Sequence, residues 1–485
     1  MKTLVDQFLE IVSSCENNTA IIQGEQTTSY RQLKQKILSA THFLSTKGIQ
    51  PGDRVCLLME NSADYVALYY AIWATGAVAV ALNTGLMDED IQNLCTHCGS
   101  KILIHDSRHV FASDSISVFE SSEISEINSS HEILKLPKLE DTASIIYTSG
   151  TTGHPKGVTL SHKNLASNTN SIIQYLKLTA ADRVMCILPF FYSYGNSLLH
   201  THLAVGGSLV LENSFMYPQK VLEKMQATQA TGFSGVPSTF TMLLDRSKLH
   251  ATQIPSLRYV TQAGGGMSAT DIEHFTSAWH NMDFIVMYGQ TEASARLTYL
   301  PASMLLKKMG SAGKAIPGVE IIVRDEQGNP CPAGTQGEIT ARGPNIMQGY
   351  WNDQAETEKA VQQNWLYTGD LGYQDEDGYI YIIGRNKEMI KTGAHRIAPR
   401  EIEEKIGELP GVLEVAVAGI PDRIMGQVIK AYIVKSTESP ETLEPREIMR
   451  HCKEKLASYK IPKKIEFVSA LPKTASGKVQ KHLLM

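Results

Sequence analysis

The chain has 485 residues, a formal net charge of −5 and 42% hydrophobic residues. This length is too great for one ordinary hydrophobic core and predicts a large domain with at least one smaller one. The mildly acidic, dispersed charge gives no support for a nucleic-acid-binding surface. At the N-terminus, Asp6 and Glu10 interrupt the apolar stretch. This pattern argues against a signal peptide, so we expect a cytoplasmic protein.

Roughly the first 380 residues alternate apolar-periodic stretches with short β-branched runs, a pattern typical of βαβ units. Residues 30–46 predict a helix, and residues 55–59 and 208–211 predict strands. The Ser- and Glu-rich residues 113–131 predict a surface connection. We therefore expect residues 1–383 to form a large, multi-layer α/β domain.

One segment, residues 65–82, runs eighteen residues without a charge, which is at the threshold for a membrane span. Thr75 and Gly76 divide it into a helix-like part and the β-branched run VAVAL. A helix, a glycine stop and a buried strand suit a parallel-sheet protein better than a span does. The sequence therefore predicts no membrane span.

A basic cluster of Arg385, Lys387 and Lys391 follows the apolar run at residues 378–383. The rest of the chain carries its own candidate elements, which are strands at 412–420 and 427–434 and a helix at 445–457. These features predict a small α+β domain at residues 384–485.

The sharpest motif is YTSGTTGHPKGV at residues 147–158. Glycines let backbone N–H groups approach phosphate oxygens, hydroxyl groups add donors, and a lysine adds positive charge. The motif is not a Walker A loop, which requires G-x-x-x-x-G-K-[ST]. Nor does Gly264-Gly265-Gly266 complete G-x-G-x-x-G, because position 269 is Ala. The candidate phosphate-binding residues are Thr148, Ser149, Gly150, Thr151, Thr152, Gly153 and Lys156.

The motif at residues 147–158 resembles the phosphate loop of the adenylate-forming superfamily, which includes acyl-CoA synthetases, peptide-synthetase adenylation domains and beetle luciferases. Further signatures of that superfamily follow in the same order, at residues 288–292 (YGQTE), 337–339 with 349–350, 365–370 (WLYTGD), 384–388 (GRNKE) and 472–478 (PKTASGK). The resemblance covers nearly the whole chain. It implies a large N-terminal domain and a small, mobile C-terminal lid.

The resemblance also implies roles for nucleotide-site residues. Asp370 resembles the carboxylate that accepts both ribose hydroxyls of ATP, since two acceptor oxygens suit a vicinal diol. Glu292 resembles the Mg²⁺ ligand, a hard oxygen donor, and Thr291 resembles an α-phosphate contact. The remaining predicted nucleotide contacts are Tyr288 with Gly289, beside adenine, and Arg385, near ribose and phosphate.

Four positions of the lid take roles from the same resemblance. Lys478 resembles the lysine that brings the substrate carboxylate and the α-phosphate together, a task that suits a mobile point charge. Lys387 matches the hinge about which the lid rotates between the two half-reactions. Lys391 and Gly393 fall in the segment that resembles the tunnel for the acyl-accepting thiol.

Residues 189–195, together with residues 264–267, resemble the acid-binding region of the superfamily and form the candidate acid pocket. Its predicted contacts are Tyr192, Ser193, Tyr194, Gly264, Gly265 and Gly266. Amino-acid-activating relatives usually have Asp at the position of Tyr192, and many acyl-CoA synthetases have His there. This departure argues against an ordinary α-amino acid. The aromatic side chains of this segment suit either a pocket or a packed core.

The predicted function is ATP-dependent activation of a carboxylic acid to an acyl-adenylate, followed by transfer to a thiol. The short interval between Glu292 and Gly337 lacks the insertion of stand-alone adenylate-forming relatives and favours thioester formation. Coenzyme A is the preferred acceptor, and the phosphopantetheine arm of a carrier protein in a secondary-metabolite pathway is the alternative. A non-catalytic nucleotide- or acyl-binding scaffold is an alternative from another class. The implied cofactors are ATP and Mg²⁺.

Overall fold

The computed structural model describes residues 1–125, 136–148, 155–279, 281–392, 395–423, 425–436, 443–473 and 479–484, without the side chains of Lys387, Arg396 and His482. The α-helices of this part of the chain are α1 (Leu4–Cys15), α2 (Tyr30–Thr46), α3 (Ala63–Ala74), α4 (Asp88–Cys98), α5 (Ser121–Ser125), α6 (His162–Leu176), α7 (Ser193–Val205), α8 (Pro218–Ala227), α9 (Pro237–Arg246), α10 (Ala269–Ala278), α11 (Gln354–Ala360), α12 (Pro399–Gly407) and α13 (Pro445–Lys455).

The described strands follow in chain order. Those before residue 300 or ending there are β1 (Thr19–Gln23), β2 (Gln26–Ser29), β3 (Arg54–Leu58), β4 (Val78–Ala81), β5 (Ser100–His105), β6 (Ser117–Glu120), β7 (Thr142–Thr148), β8 (Lys156–Ser161), β9 (Arg183–Cys186), β10 (Ser208–Leu211), β11 (Gly232–Gly235), β12 (Tyr259–Gln262), β13 (Asp283–Tyr288) and β14 (Thr298–Leu300). The later ones are β15 (Lys314–Ala315), β16 (Glu320–Arg324), β17 (Gly337–Arg342), β18 (Gly349–Tyr350), β19 (Val361–Gln362), β20 (Trp365–Gln374), β21 (Ile380–Arg385), β22 (Ile390–Thr392), β23 (His395–Ile397), β24 (Val412–Asp422), β25 (Gly426–Lys435) and β26 (Lys464–Phe467).

These strands form four sheets. The largest has the order β15-β14-β13-β12-β11-β9-β10-β1-β2. Its six central strands, β13, β12, β11, β9, β10 and β1, pair in parallel with one another. A second sheet has the order β18-β8-β7-β4-β3-β5-β6, and a third contains β16, β17, β19, β20 and β21. The fourth contains β22 to β26. The chain is therefore a mixed α/β protein with a large N-terminal part and a small C-terminal one.

Helix α3 shows why the N-terminal part is multi-layered. Every residue from Tyr65 to Ala74 is buried, and a helix that is apolar on all sides must be covered on all sides. Its core cluster includes Val55 from the second sheet and Leu209 from the largest sheet. The helix therefore lies in a layer between the two sheets.

Several predicted elements are confirmed. Helix α2 has the predicted bounds and begins with a capping box between Ser29 and Gln32. Residues 65–82 form α3 and β4, separated by Gly76 at φ +76°. Among the described residues, no helix is long and apolar enough to cross a membrane.

The predicted surface connection at residues 113–131 contains a strand and a short helix that the sequence did not predict. Ser117–Glu120 forms strand β6, which pairs in parallel with β5, and Ser121–Ser125 forms α5. The Ser-rich composition hid this strand because β6 lies at the edge of its sheet and has no fully buried residue. Residues 126–131 lie outside the described residues.

In the C-terminal part, strands β24 and β25 and helix α13 occupy the predicted positions. Ile402 and Ile448 bring α12 and α13 into one core cluster with the strand residues Val417 and Ile433. The helices thus cover one face of the sheet. The division into domains at residue 383 stays a prediction, and β21, which pairs with β20, runs on to Arg385.

Candidate active site

Several predicted site residues of the N-terminal part lie at the carboxyl ends of parallel strands. Residues 264–266 follow β12, and Tyr288 ends β13, the next strand of the same sheet. The N-terminal residue of α7, Ser193, lies beside Thr291, with 3.4 Å between their hydroxyl oxygens. Because ligands of open α/β sheets bind at this edge, these residues mark a candidate binding site.

Tyr288, Asp370 and Arg385 form a polar cluster at the end of β13. The Tyr288 hydroxyl donates to Asp370 Oδ2 at 2.6 Å, and Arg385 Nε lies 3.1 Å from Asp370 Oδ1. Burial, followed by the neighbouring Asp370 carboxylate, raises the pKa of the Tyr288 hydroxyl well above its usual value. Tyr288 therefore stays a hydrogen-bond donor at neutral pH, and Asp370 is held between a donor and a cation.

The turn that presents Asp370 is supported by an earlier motif. Glu338, on β17, accepts a hydrogen bond from the Gly369 backbone N–H at 2.9 Å. The Thr368 hydroxyl donates to the Ile339 carbonyl and accepts from the Asp370 N–H. Gly369 has φ +72°, a conformation that glycine adopts without strain. The residues around 338 therefore hold the turn at 368–370 in place.

A second chain of contacts links Glu292 to Lys156. Tyr350 donates its hydroxyl hydrogen bond to Glu292 Oε1 at 2.9 Å, and Lys156 Nζ lies 4.8 Å from the centre of the Tyr350 ring. Lys156 also forms an ion pair with Glu356. The hydrogen bond from Lys156, with a second from Lys359, lowers the pKa of the Glu356 carboxyl to about 2. The lysine side chain is thus fixed by one carboxylate and one aromatic face.

The strands on both sides of the phosphate motif form an antiparallel hairpin. Thr148 ends β7 and is the register partner of Lys156, the first residue of β8. Ser149, Gly150, Thr151, Thr152 and Gly153 lie outside the described residues. A Cβ atom at Gly157 would lie 2.9 Å from Ile145 Cγ2 and 3.2 Å from Trp351 Cβ, so the close packing beside the motif favours glycine.

The predicted acid-pocket residues surround the start of α7. Tyr192 precedes the helix, and Asn83 Nδ2 donates to its hydroxyl at 3.4 Å. Tyr194 donates its hydroxyl hydrogen bond to the Thr261 carbonyl at 3.0 Å. Gly195 packs so closely that a Cβ atom there would lie 2.1 Å from the Pro189 carbonyl oxygen. This contact fixes the helix start against the loop before it.

Residues 264–266 form an exposed loop that faces the C-terminal part. Gly264 has φ +87°, and Gln262 Nε2 donates to the Gly265 carbonyl at 2.8 Å. A Cβ atom at Gly266 would lie 2.6 Å from the guanidinium of Arg400, in α12. The lid therefore contacts the predicted acid pocket at this loop.

The predicted lid residues are only partly described. Lys391 is exposed on β22, and its backbone N–H donates to Gln427 Oε1 at 2.8 Å. Lys387 lies in the short 3₁₀ turn Asn386–Glu388, and its side chain is outside the described part of the chain. Gly393 and Lys478 also lie outside the described residues. The roles predicted for these four residues stay predictions.

Sequence reasoning missed roles for Tyr350, Glu356 and Glu338. Tyr350 and Glu338 belong to signatures at residues 337–350 that were given no chemical role. Glu356 belongs to no quoted motif and lies 200 positions from its partner Lys156. Its one local signal is its place in the first turn of α11, where Asp353 accepts from the Glu356 N–H.

Family models match both the N-terminal and the C-terminal part of the chain. Residues 9–351 match the family model described as AMP-binding enzyme, and residues 401–478 match the AMP-binding enzyme C-terminal domain. A feruloyl-CoA synthase from Amycolatopsis sp is 31% identical over 469 residues, which cover 96% of this chain and 94% of that protein. A 2-succinylbenzoate–CoA ligase from Bacillus cereus (strain Q1) is 33% identical over 490 residues, covering 99% and 98%.

Solved structures resemble the whole chain. The o-succinylbenzoate CoA synthetase from Bacillus subtilis, in complex with its acyl-adenylate intermediate, has a TM-score of 0.91 at 29% identity and covers 100% of this chain and 98% of its own. ATP-bound MatB from Rhodopseudomonas palustris has the same four values, whereas apo MatB has a TM-score of 0.79 at equal identity and coverage. This chain is therefore arranged more like ATP-bound MatB than like apo MatB.

The AMP-binding model covers more than half of the chain, and the relatives align over almost all of it. Tyr288, Asp370 and Arg385, which come from three of the sequence signatures, meet in one polar cluster. The chain therefore belongs to the AMP-binding enzyme family and is an AMP-forming acid–thiol ligase, which activates a carboxylic acid as an acyl-adenylate and transfers the acyl group to a thiol.

Proposed function

We propose that the chain is an acyl-CoA synthetase, which activates a small carboxylic acid with ATP and Mg²⁺ and transfers the acyl group to coenzyme A. The observation that carries the nucleotide part is the cluster of Tyr288, Asp370 and Arg385, in which Arg385 also interacts electrostatically with Glu292. The relatives support the choice of coenzyme A, because those compared are named as CoA ligases or synthases.

Asp370 is proposed to bind the ribose of ATP. A carboxylate has roughly four acceptor sites, and Tyr288 and Arg385 occupy one each. The remaining capacity matches the two hydroxyls of a vicinal diol. Tyr288, with Gly289 next to it, is proposed to lie beside adenine, and Arg385 is proposed to contact ribose and phosphate.

Glu292 fits the proposed magnesium site by its chemistry. It is a carboxylate, a hard oxygen donor, and the hydroxyl of Tyr350 holds its Oε1 atom in place. A Mg²⁺ ion bound there would offset the negative charge of phosphate oxygens. Thr291, the neighbouring residue, is proposed to contact the α-phosphate, and Lys156 is proposed to contact phosphate from the other side of Tyr350.

No nucleophilic side chain is required in this reaction. The acid carboxylate attacks the α-phosphorus of ATP, which releases pyrophosphate, and the external thiol then attacks the acyl carbon and releases AMP. The protein contributes by holding the reactants together and by stabilising charge. Lys478 is proposed to hold the acid carboxylate and the α-phosphate in the first step.

The lid is proposed to rotate about Lys387 between the two steps. The different TM-scores of ATP-bound and apo MatB support a lid that takes more than one arrangement in this family. Lys391 and Gly393 are proposed to line the path of the thiol in the second arrangement. A cytoplasmic location also stays a prediction.

The function can be tested with purified protein, Mg²⁺, ATP and a panel of carboxylic acids. Pyrophosphate release measures the first step, and thioester formation with coenzyme A or with a phosphopantetheinylated carrier protein measures the second. We expect acid-dependent pyrophosphate release and a thioester of coenzyme A. Thioester formation on the carrier protein alone would contradict the proposed acceptor, and ATP binding without turnover of any acid would favour a scaffold.

A further inference from the structure

A buried arginine, Arg296, lies beside the predicted acid pocket without a role in the proposed nucleotide chemistry. Arg296 is 3% exposed. Within the described chain, its side chain contacts Met287 Sδ at 3.2 Å, the Ala295 carbonyl at 3.4 Å and Ser197 Oγ at 3.4 Å, and forms no ion pair. It also hydrogen-bonds the side chain of Tyr175. All of these partners are neutral, so the positive charge of the guanidinium is not balanced by a described side chain.

Burying a cation without an anion is costly, and proteins normally supply a carboxylate partner. Arg258, in the same domain, follows this rule, since it pairs with Asp182 at 2.8 Å. Arg296 is more deeply buried than Arg258, yet no carboxylate of the described residues faces it. Arg296 is therefore a buried cation for which the described part of the chain supplies no anion.

The position of Arg296 points to the acid substrate as the source of that anion. Its guanidinium lies 4.1 Å from the centre of the Tyr194 ring, a predicted acid-pocket residue. The backbone carbonyl of Arg296 accepts from Asn168 and Asn345, both at 3.0 Å, so the segment is held in place. A Cβ atom at Gly289 would lie 2.8 Å from Arg296 Cα, which brings the arginine close to the end of β13.

Helix α7 sets the distance between this cation and the reacting centre. Ser193 contacts Thr291, the proposed α-phosphate contact, and Ser197 contacts Arg296. Four residues along an α-helix span roughly 6 Å. Two anionic groups of one small acid can be this far apart, one at the phosphate and one at the guanidinium.

We propose that Arg296 binds a second carboxylate of the substrate and that the enzyme therefore activates dicarboxylic acids. This inference rests on the proposed function, because it assigns the acid that the ligase uses. The first carboxylate is adenylated, and the second stays ionised and pairs with the guanidinium. Charge-assisted, bidentate binding of a carboxylate is the contact that a planar guanidinium makes best.

The test compares straight-chain dicarboxylates of about three to eight carbons with monocarboxylates of the same lengths, by pyrophosphate release. We expect wild-type kcat/KM to be higher for the diacid at an intermediate length. Arg296→Met, which removes the charge, should lower the ratio of diacid to monoacid by about 10- to 100-fold. Arg296→Lys should keep part of this ratio, and the KM for ATP should change little in either variant.

Three results would overturn the inference. These are a wild type that prefers monocarboxylates at every length, an Arg296→Met variant that keeps the diacid preference, and a loss of activity that is equal for both acid classes. The wild-type comparison alone decides the matter if Arg296→Met does not fold. Turnover of monoacids only contradicts this inference, whereas no turnover of any acid contradicts the proposed ligase function itself.

Discussion

Removal of the Asp370 carboxylate is the sharpest test of the proposed ribose site. The Asp370 side chain is 6% exposed, accepts a hydrogen bond from the Tyr288 hydroxyl at 2.6 Å and faces Arg385 Nε at 3.1 Å. Asp370→Ala should therefore lose both the acceptor for ribose and the group that orients its neighbours. Hydrogen bonds to a charged group contribute about 1.5–3 kcal/mol. At about 1.36 kcal/mol per factor of ten, kcat/KM for ATP should fall by about 10- to 100-fold.

The assay is pyrophosphate release at varied ATP and saturating acid, with melting temperature measured in parallel. Leaving the half-buried Tyr288 hydroxyl without its acceptor should cost at most about 1–3 kcal/mol of folding stability, so the assay temperature must lie well below the lowered midpoint. Tyr288→Phe is the matched control, because it removes the same hydrogen bond but keeps the Asp370 carboxylate and an aromatic ring.

We expect Tyr288→Phe to retain most of the wild-type kcat/KM for ATP while Asp370→Ala loses it. Asp370→Asn, which keeps the shape but not the charge, should lie between them. A folded Asp370→Ala protein with unchanged kcat/KM for ATP would refute the ribose role. Equal losses in Asp370→Ala and Tyr288→Phe would show that the hydrogen bond between these residues, and not the carboxylate's contact with ribose, is what matters.

The other predictions concern Lys156 and the lid. Glu356→Gln should release the Lys156 ammonium and lower kcat/KM for ATP by about 3- to 10-fold, since ordering a lysine side chain costs up to about 2 kcal/mol. The control Glu358→Gln, on the same helix, should leave kcat/KM for ATP unchanged. The pKa of Glu356 is lowered to about 2, so its ion pair with Lys156 is lost only as pH falls from the usual glutamate range through that value. The ratio of kcat/KM between wild type and Glu356→Gln should therefore be constant between about pH 6 and 9. A ratio that titrates near neutral pH would contradict this pairing. Lys478→Ala should reduce pyrophosphate release by about 10²–10³-fold and largely spare thioester formation from a supplied acyl-adenylate. Lys387→Pro, which fixes φ at the proposed hinge, should do the reverse, and equal loss of both half-reactions in both lysine variants would rule out an alternating lid.

Local sequence patterns were sufficient to predict many of the helices and strands. Helix α2 could be predicted to the residue because its apolar spacing and its capping box with Ser29 lie within one short segment. Gly76 likewise marked the end of α3, since its positive φ is a local requirement of the chain. Strand β6 was missed because an edge strand in a Ser-rich run carries little periodic signal, and its identity comes from pairing with β5.

The sequence by itself determined the order of the signatures and hence the family, because motifs such as residues 147–158 are read along the chain. Only the tertiary structure decided which of their residues meet. Tyr350 reaches Glu292 across 58 positions, and Glu356 reaches Lys156 across 200. Arg296 belongs to none of the quoted signatures. The role proposed for it rests on its burial beside Tyr194 without a carboxylate partner among the described residues. The physical reason is that ion pairs and burial depend on distance in space, which local propensity and spacing do not encode.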